Sequence, residues 1–356
     1  MLEKLKQINF SNVNLDDCFF DSLKADYGPQ FTEWYNRKAN EGEKALAVID
    51  DKGVHAFLYM KRENEEITLQ GKVLPKTERV KIGTLKLDST VEGQRLGEGI
   101  IGVALWKWQF SKINEVYLTV FPKQVALISM LEKFGFKQVG MKANGELILM
   151  KSRDDLDFSS PYKAFPFISG HANKFGLIPI KDIFHDRLFT YSESFYKLSD
   201  FKEAIAGNGV TKVYIGCPYT PTQYSEGQVV GIYRIYTGSG PKGNRSAITS
   251  FCTITKITVV KSNNKENISF DEYMKMAGNK TIFEPSELRS IYKSRNVIMI
   301  EMVYNKFLSK GKNITYSQLK NNQLFEDHPY NIDYTAEQMK SIMKMGGVDI
   351  ENIIIN

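Results

Sequence analysis

At 356 residues the chain is longer than one hydrophobic core usually fills, so two domains are expected. Apolar residues at 42% and charged residues at 25% exclude a disordered or fibrous chain. The formal charge of +6 is compatible with a phosphate-bearing partner. No stretch approaches the roughly eighteen apolar residues of a membrane helix, and the first residues lack the apolar core of a signal peptide, so a cytoplasmic protein with no membrane partner is expected.

Asp26 to Pro29 reads as a turn, and Phe31-Thr32-Glu33-Trp34-Tyr35-Asn36 with its charged neighbours as a short amphipathic helix. Ala45 to Ile49 and Val54 to Met60 flank Asp50-Asp51-Lys52-Gly53, which is a hairpin signal. Val80 to Asp88 predicts a strand, a glycine-bearing loop follows, and Ile100 to Trp108 is a mostly apolar helix. Glu115 to Phe121 is a second strand stopped by Pro122, and Val125 to Phe134 a second helix. Between 151 and 166 the character changes, with charge at Ser152-Arg153-Asp154-Asp155 and a break at Ser159-Ser160-Pro161. The expected organisation is a first domain over 1–152, a linker over 153–166 and a second domain over 167–356. In the latter, Val213 to Cys217, Gln228 to Tyr236 and Ser250 to Val260 are β-branched or aromatic runs that suit a small closed or strongly curved β-domain. Glu337 to Met345 follows as a helix ended by Gly346-Gly347.

Cys18, Cys217 and Cys252 are odd in number and far apart, so neither a disulfide framework nor a zinc site is expected. His55, His171, His185 and His328 are scattered, and none stands in a triad order with a nucleophile; no metal is expected and hydrolase chemistry loses its support.

The informative segment is Gln94-Arg95-Leu96-Gly97-Glu98-Gly99, placed between a strand and a helix. Backbone N–H groups and the positive end of a helix dipole converge there, which suits a pyrophosphate. Gly97 and Gly99 would let the backbone approach the phosphates and take dihedrals that other residues resist. The absence of Gly-Lys-Ser/Thr argues against a nucleoside triphosphate loop, and the absence of Gly-x-Gly-x-x-Gly against a dinucleotide fold.

The same six residues match the Gln/Arg-x-x-Gly-x-Gly/Ala motif of the GNAT superfamily of N-acetyltransferases. Leu131-Glu132-Lys133-Phe134-Gly135-Phe136 resembles that family's closing helix and Gly-Phe turn, and the resemblance runs from Phe20 to Lys151. It implies acetyl-CoA as cofactor, with the strand end Leu87-Asp88-Ser89 offering its backbone to the pantetheine arm. It implies pyrophosphate binding by Gln94, Arg95, Leu96, Gly97, Glu98 and Gly99, and a polar contact from Gln124, where many members carry Asn. The implied chemistry is direct attack of an amine, freed of its proton by a general base, on the thioester, with a donor protonating the leaving thiolate. Leu131 departs from the pattern, because many relatives place there the Tyr that serves as acid. Asp88 and Glu115 are candidate bases, each more often readable as a solvated strand-end carboxylate, and Tyr117 is a candidate for the splay between the two strands or a core residue.

Gly227-Gln228-Val229-Val230-Gly231-Ile232-Tyr233-Arg234 resembles a strand of small PUA-like barrels, the ASCH group among them, with Gln228 in place of the common acidic residue. That resemblance spans Gly176 to Val260 and implies capture of RNA or a modified base. Tyr214, Tyr219, Tyr224, Tyr233 and Tyr236, interleaved with Lys212, Arg234, Lys242 and Arg245, are of the types that stack on bases and pair with phosphates. Tyr233, Arg234, Lys242 and Arg245 are the candidate RNA contacts; the same alternation also describes core tyrosines with ordinary surface cations. His185-Asp186-Arg187, a polar triplet in apolar surroundings, reads as a buried salt bridge rather than a catalytic group.

The expected fold class is α+β: a GNAT fold, with a mixed central sheet flanked by helices, followed by a small PUA-like β-barrel with flanking helices. The expected activity is acetyl-CoA-dependent N-acetyl transfer with RNA, such as tRNA, as acceptor. The alternatives are a protein or small-molecule amine as acceptor with a protein-binding barrel, and a non-catalytic acetyl-CoA-binding protein.

Overall fold

A computed structural model describes residues 5–88, 93–192, 204–219, 223–325 and 329–355. The chain divides into two compact units, Met1–Leu156 and Asp157–Asn356. The stretch expected to be a linker is shared out between them. Arg153 donates from Nη2 to the carbonyls of Trp108 (3.3 Å) and Gln109 (2.5 Å) in the first unit. Tyr162 donates to Glu301 (2.8 Å) in the second, where Ala164 and Phe165 are buried.

The first unit holds strands β1 (Lys6–Asn9), β2 (Lys44–Asp50), β3 (Gly53–Leu69), β4 (Lys72–Leu87), β5 (Glu115–Val120), β6 (Lys137–Met141) and β7 (Leu147–Ser152), in the sheet order β1-β2-β3-β4-β5-β7-β6. Its helices are α1 (Asp21–Tyr27), α2 (Pro29–Asn40), α3 (Leu96–Ser111) and α4 (Val125–Lys133). The expected turn at Asp26 to Pro29 is the joint between α1 and α2, where Gly28 is followed by Pro29 at the first helical position. Phe10, Phe20, Phe31, Tyr35, Phe57 and Tyr59 form an aromatic core between these helices and the sheet. Full burial of each such ring stabilises by about 1.5–3 kcal/mol.

Neighbouring strands are antiparallel except β4 and β5, which pair in parallel from Arg79–Glu115 to Ile82–Leu118. Beyond that rung β4 stays with β3, where Tyr59 faces Thr84 and Met60 faces Ile82, leaving Gly83 as the extra residue of a β-bulge. A bulge bends the strand that carries it. A Cβ on Gly83 would lie 2.9 Å from Cδ1 of Tyr59, so the bend needs glycine. The two strands therefore part just before the helices that follow them, α3 and α4.

β3 and β4 are longer than the sequence suggests. Their far end curls over Tyr117, Ile148 and Met150 with Ile67 and Leu69, and there the Gln70 N–H donates to the Met141 carbonyl (2.8 Å).

The second unit comprises strands β8 (Ile168–Ser169), β9 (Phe175–Lys181), β10 (Thr211–Gly216), β11 (Val229–Ile235), β12 (Ala247–Ser262), β13 (Lys265–Glu266), β14 (Val297–Phe307), β15 (Ile314–Thr315), β16 (Asp333–Tyr334) and β17 (Ile354–Ile355). Helices α5 (Pro161–Ala164), α6 (Asp182–Leu188), α7 (Phe270–Ala277), α8 (Pro285–Tyr292), α9 (Tyr316–Asn321), α10 (Ala336–Met345) and α11 (Ile350–Ile353) flank them. The main path is β10-β14-β12-β11-β9-β16, with β13 and β15 added to β12, and no pairing among the described residues joins β10 to β16. Three register shifts against β14 bend the sixteen-residue β12, the feature of a curved β-domain. One core sets Phe175, Leu177, Val229, Tyr233, Ile248 and Phe251 against Met339, Ile342 and Met343 of α10. The other sets Val213, Ile215, Val260, Val297 and Met299 against Tyr273 of α7 and Leu288 and Tyr292 of α8.

Candidate active site

In an open sheet containing parallel strands, ligands settle outside the carboxyl ends of those strands. Here that place lies between the parted ends of β4 and β5, facing the first turns of α3 and α4. Helix α3 starts at Leu96, four residues earlier than the apolar run predicts, so Leu96 to Gly99 form its first turn rather than a loop before it. The Gly99 N–H donates to the Arg95 carbonyl (3.1 Å) within the helix, so the amides that point outward with the positive end of its dipole are those of Leu96 and Gly97.

The glycines serve a different purpose from the one expected. Neither Gly97 nor Gly99 has a positive φ; the left-handed residue is Arg95 (φ 59°), just before the helix. What Gly97 supplies is clearance. A Cβ there would stand 3.3 Å from Cδ1 of Leu87 and 3.6 Å from Cε of Met130, so the strand end and α4 close in on bare backbone. Leu85, Leu87 and Met130 are only half-buried, which leaves an apolar strip beside that turn.

The Arg95 guanidinium lies against its own loop, donating from Nη2 to Oε2 of Glu98 at 2.5 Å, and Glu98 is buried. Gln94 is half-buried, Gln124 is exposed immediately before α4, and Ser89 lies outside the described residues. The Gly-Phe turn closes α4 through Gly135 N–H to Glu132 (2.9 Å) and Phe136 N–H to Leu131 (3.0 Å). Leu131 is wholly buried and belongs to the core.

The three expected catalytic groups separate. Glu115 begins β5, at the end of the sheet opposite the opening, and accepts from Nε of the buried Arg79 at 2.5 Å; it is a structural ion pair. Tyr117 lies within the paired part of β5, is 2% exposed, and donates to Glu63 inside the core under the β3–β4 arm. Burial, then that bond to Glu63, push its hydroxyl pKa well above the ordinary tyrosine range. Both expectations are therefore corrected: neither residue stands at the opening. Asp88 does. Its Oδ2 lies 3.5 Å from Nδ1 of His55, whose Nε2 lies 2.8 Å from Oδ1 of Asp50. This carboxylate–imidazole–carboxylate row at the end of β4 was missed in the sequence, since His55 looks like any residue of a hairpin strand.

Several solved structures are similar to the chain. ASCH from Zymomonas mobilis matches at 10% identity over 48% of this chain and 94% of its own, with a TM-score of 0.30. The PaiA N-acetyltransferase from Thermoplasma acidophilum in complex with coenzyme A matches at 16% identity over 38% and 87%, with a TM-score of 0.27. AtaTR bound with AcCoA matches at 15% identity over 41% and 93%, with a TM-score of 0.31. No family model matches the sequence, and no curated protein does.

In the second unit the expected RNA face divides. Tyr233 is 3% exposed and stacks on Phe325 in the core (5.3 Å between centroids), so it offers no ring to a base. Arg234 is fully buried and donates to both oxygens of Asp186, at 2.8 and 2.9 Å. Burial alone would raise the Asp186 carboxyl, but the bonds from Arg234 and His185 hold it well below the ordinary range. His185 completes the network through Thr249 (2.7 Å). These two expectations are corrected for one reason: on a strand covered on both faces, alternate residues are all interior. Arg245 is half-buried and bonded to the Tyr236 hydroxyl (2.8 Å), while Lys242 is exposed.

Among the described residues no helix is long and apolar enough to cross a membrane.

Proposed function

We propose that the first unit is an acetyl-CoA-dependent N-acetyltransferase and that its acceptor is an amine carried by RNA. The observation that carries the reading is the bulge at Gly83, which parts the parallel strands in front of a helix turn left bare at Gly97. The residues suit the cofactor. The parted edge of β4 from Thr84 to Leu87 supports a pantetheine arm by its backbone, the half-buried Leu85, Leu87 and Met130 give that arm an apolar wall, and the amides of Leu96 and Gly97 face the pyrophosphate.

When bound, acetyl-CoA supplies an activated acyl group on a thiol leaving group. The protein's part is to hold the strand edge open, keep water from the apolar strip, and remove a proton from the incoming ammonium. We assign that proton to Asp88, with His55 and Asp50 behind it. Since Leu131 is core, no tyrosine at that position protonates the departing thiolate.

RNA as acceptor draws support from the net positive charge and the exposed Lys242. Thiol release from acetyl-CoA, followed with a thiol reagent over a panel of charged tRNAs, free amino acids and peptides, tests the reading. Release with charged tRNA and not with the free amino acids is expected. Release with peptides alone would move the acceptor to protein, and silence across the panel would remove the transferase.

A further inference from the structure

Strand pairing brings Asp50, His55 and Asp88 to one place. Asp50 ends β2, His55 lies near the start of β3, and Asp88 follows β4, its N–H donating to the His55 carbonyl (2.9 Å). The imidazole is largely enclosed, and its two nitrogens meet different surroundings. Nε2 lies 2.8 Å from Oδ1 of the exposed Asp50. The Asp50 carboxyl is held below the ordinary carboxylate range, first by that bond and then by the Lys52 N–H (2.8 Å), so it is ionised and can only accept. Nε2 therefore carries the proton. In the neutral ring Nδ1 is then an acceptor. It has essentially no solvent contact and no hydrogen-bond partner, and the atom that faces it is Oδ2 of Asp88 at 3.5 Å.

Two acceptors facing each other repel while Asp88 is a carboxylate, and become donor and acceptor once Asp88 holds a proton. The row is built to take one proton from the side of the opening. The other charged groups packed around the ring are occupied elsewhere. On β4, Lys86 turns away to the Phe19 carbonyl and to the Ser22 hydroxyl (2.5 Å). Asp17, before the helical turn Cys18–Phe20, accepts from the N–H groups of Phe19 (2.8 Å) and Val54 (3.0 Å). Asp51 and Lys52 are exposed in the turn between β2 and β3. Among the described residues, Asp50 and Asp88 are the two charges within ion-pair distance of the ring.

We propose that His55 is the final resting place of the acceptor's proton, with Asp88 passing it on and Asp50 fixing the ring in the tautomer that can receive it. This rests on the acetyl-transfer reading above. An N–H bond of the acceptor ammonium breaks as an O–H bond forms on Asp88. That O–H bond then breaks as Nδ1–H forms, leaving a neutral amine and an imidazolium between two carboxylates. After the products leave, the imidazolium gives its proton to water and the row is restored. His55 touches no substrate and is a positioning residue: it returns Asp88 to the carboxylate while the amine must stay neutral.

Nitrogen-15 spectra of the full chain labelled at histidine read the protonation of each ring nitrogen, and His55→Gln assigns the signal. Above the protonation step of the ring, a protonated Nε2 and a bare Nδ1 are expected. The midpoint of that step should fall by about one pH unit or more in Asp88→Asn and in Asp50→Asn, because the imidazolium loses a neighbouring carboxylate. Kinetics are read as thiol release from acetyl-CoA with the charged tRNA, amino acid or peptide of the panel that proves active. Asp50→Asn and His55→Gln should each lower kcat by about tenfold or more and move the acid limb of its pH profile to lower pH, with acetyl-CoA affinity and the dichroism spectrum unchanged. Unchanged kcat and pH profile in both variants, while the unaltered chain releases thiol, would overturn the relay and leave the transferase standing. Silence across the panel would remove the transferase and the relay together, even with the expected ring spectra. A protonated Nδ1 above the protonation step would overturn the relay by itself.

Discussion

Replacing Arg234 by Met separates a structural arginine from an RNA-binding one. Both Arg234 and Asp186 are essentially without solvent contact, and two hydrogen bonds of 2.8 and 2.9 Å join them. A hydrogen bond to a charged group contributes about 1.5–3 kcal/mol, and removing one partner of a buried pair costs about 3–5 kcal/mol because the other charge is stranded. Arg234→Met should therefore destabilise the second unit by about 3–5 kcal/mol, and adding Asp186→Asn should recover part of that loss. The three tryptophans, Trp34, Trp106 and Trp108, all lie in the first unit, which makes the assay selective. In urea the far-ultraviolet dichroism transition should move to lower denaturant while the tryptophan fluorescence transition stays put. The carboxyl of Asp186 is depressed in the folded state, so its contribution is fully present above the ordinary carboxylate pKa and is lost as pH falls through and below it. The Arg234→Met penalty should shrink in acid accordingly. A loss under about 1 kcal/mol, or a penalty that grows toward low pH, would refute the buried-pair account.

Glu115→Gln should leave kcat and KM of acetyl transfer unchanged, because Glu115 starts β5 away from the opening, yet lower stability by about 1–3 kcal/mol through the unpaired Arg79 guanidinium. Asp88→Asn should instead lower kcat steeply with little change in acetyl-CoA affinity, read by steady-state kinetics and calorimetry together. Leu131→Tyr should not create an acid: with no space around Leu131, the larger side chain should cost about 1–3 kcal/mol in a denaturation experiment without raising turnover. Gly83→Val should both destabilise and weaken acetyl-CoA binding, since its Cβ would meet the Tyr59 ring.

Much of the first unit is legible in the sequence where apolar periodicity and punctuation agree. The hairpin at Asp50 to Gly53 and the strand stopped by Pro122 are both present, at β2–β3 and β5. The outer halves of β3 and β4 are not legible, because Glu63-Asn64-Glu65-Glu66 and Lys76-Thr77-Glu78-Arg79 are charged runs; only the curl over Tyr117 gives them a buried side. The turn at Gly97 does stand between a strand and a helix, as the sequence suggests, but its backbone differs from the expectation. Gly97 marks the turn by its lack of a side chain, whereas the unusual backbone falls on Arg95, which no spacing rule announces. Tyr233 and Arg234 misled because alternation identifies a strand without saying how many of its faces are covered.

The central claim is that bare backbone at the start of α3, facing the parted ends of β4 and β5, holds the pyrophosphate of acetyl-CoA. Calorimetric titration of coenzyme A into the full chain and into its Gly97→Asp variant tests it most directly, because the substitution puts bulk and negative charge where the phosphates would rest. Measurable binding by the unaltered chain and none by the variant, with both dichroism spectra alike, is the predicted result. An unchanged dissociation constant in the folded variant would contradict it.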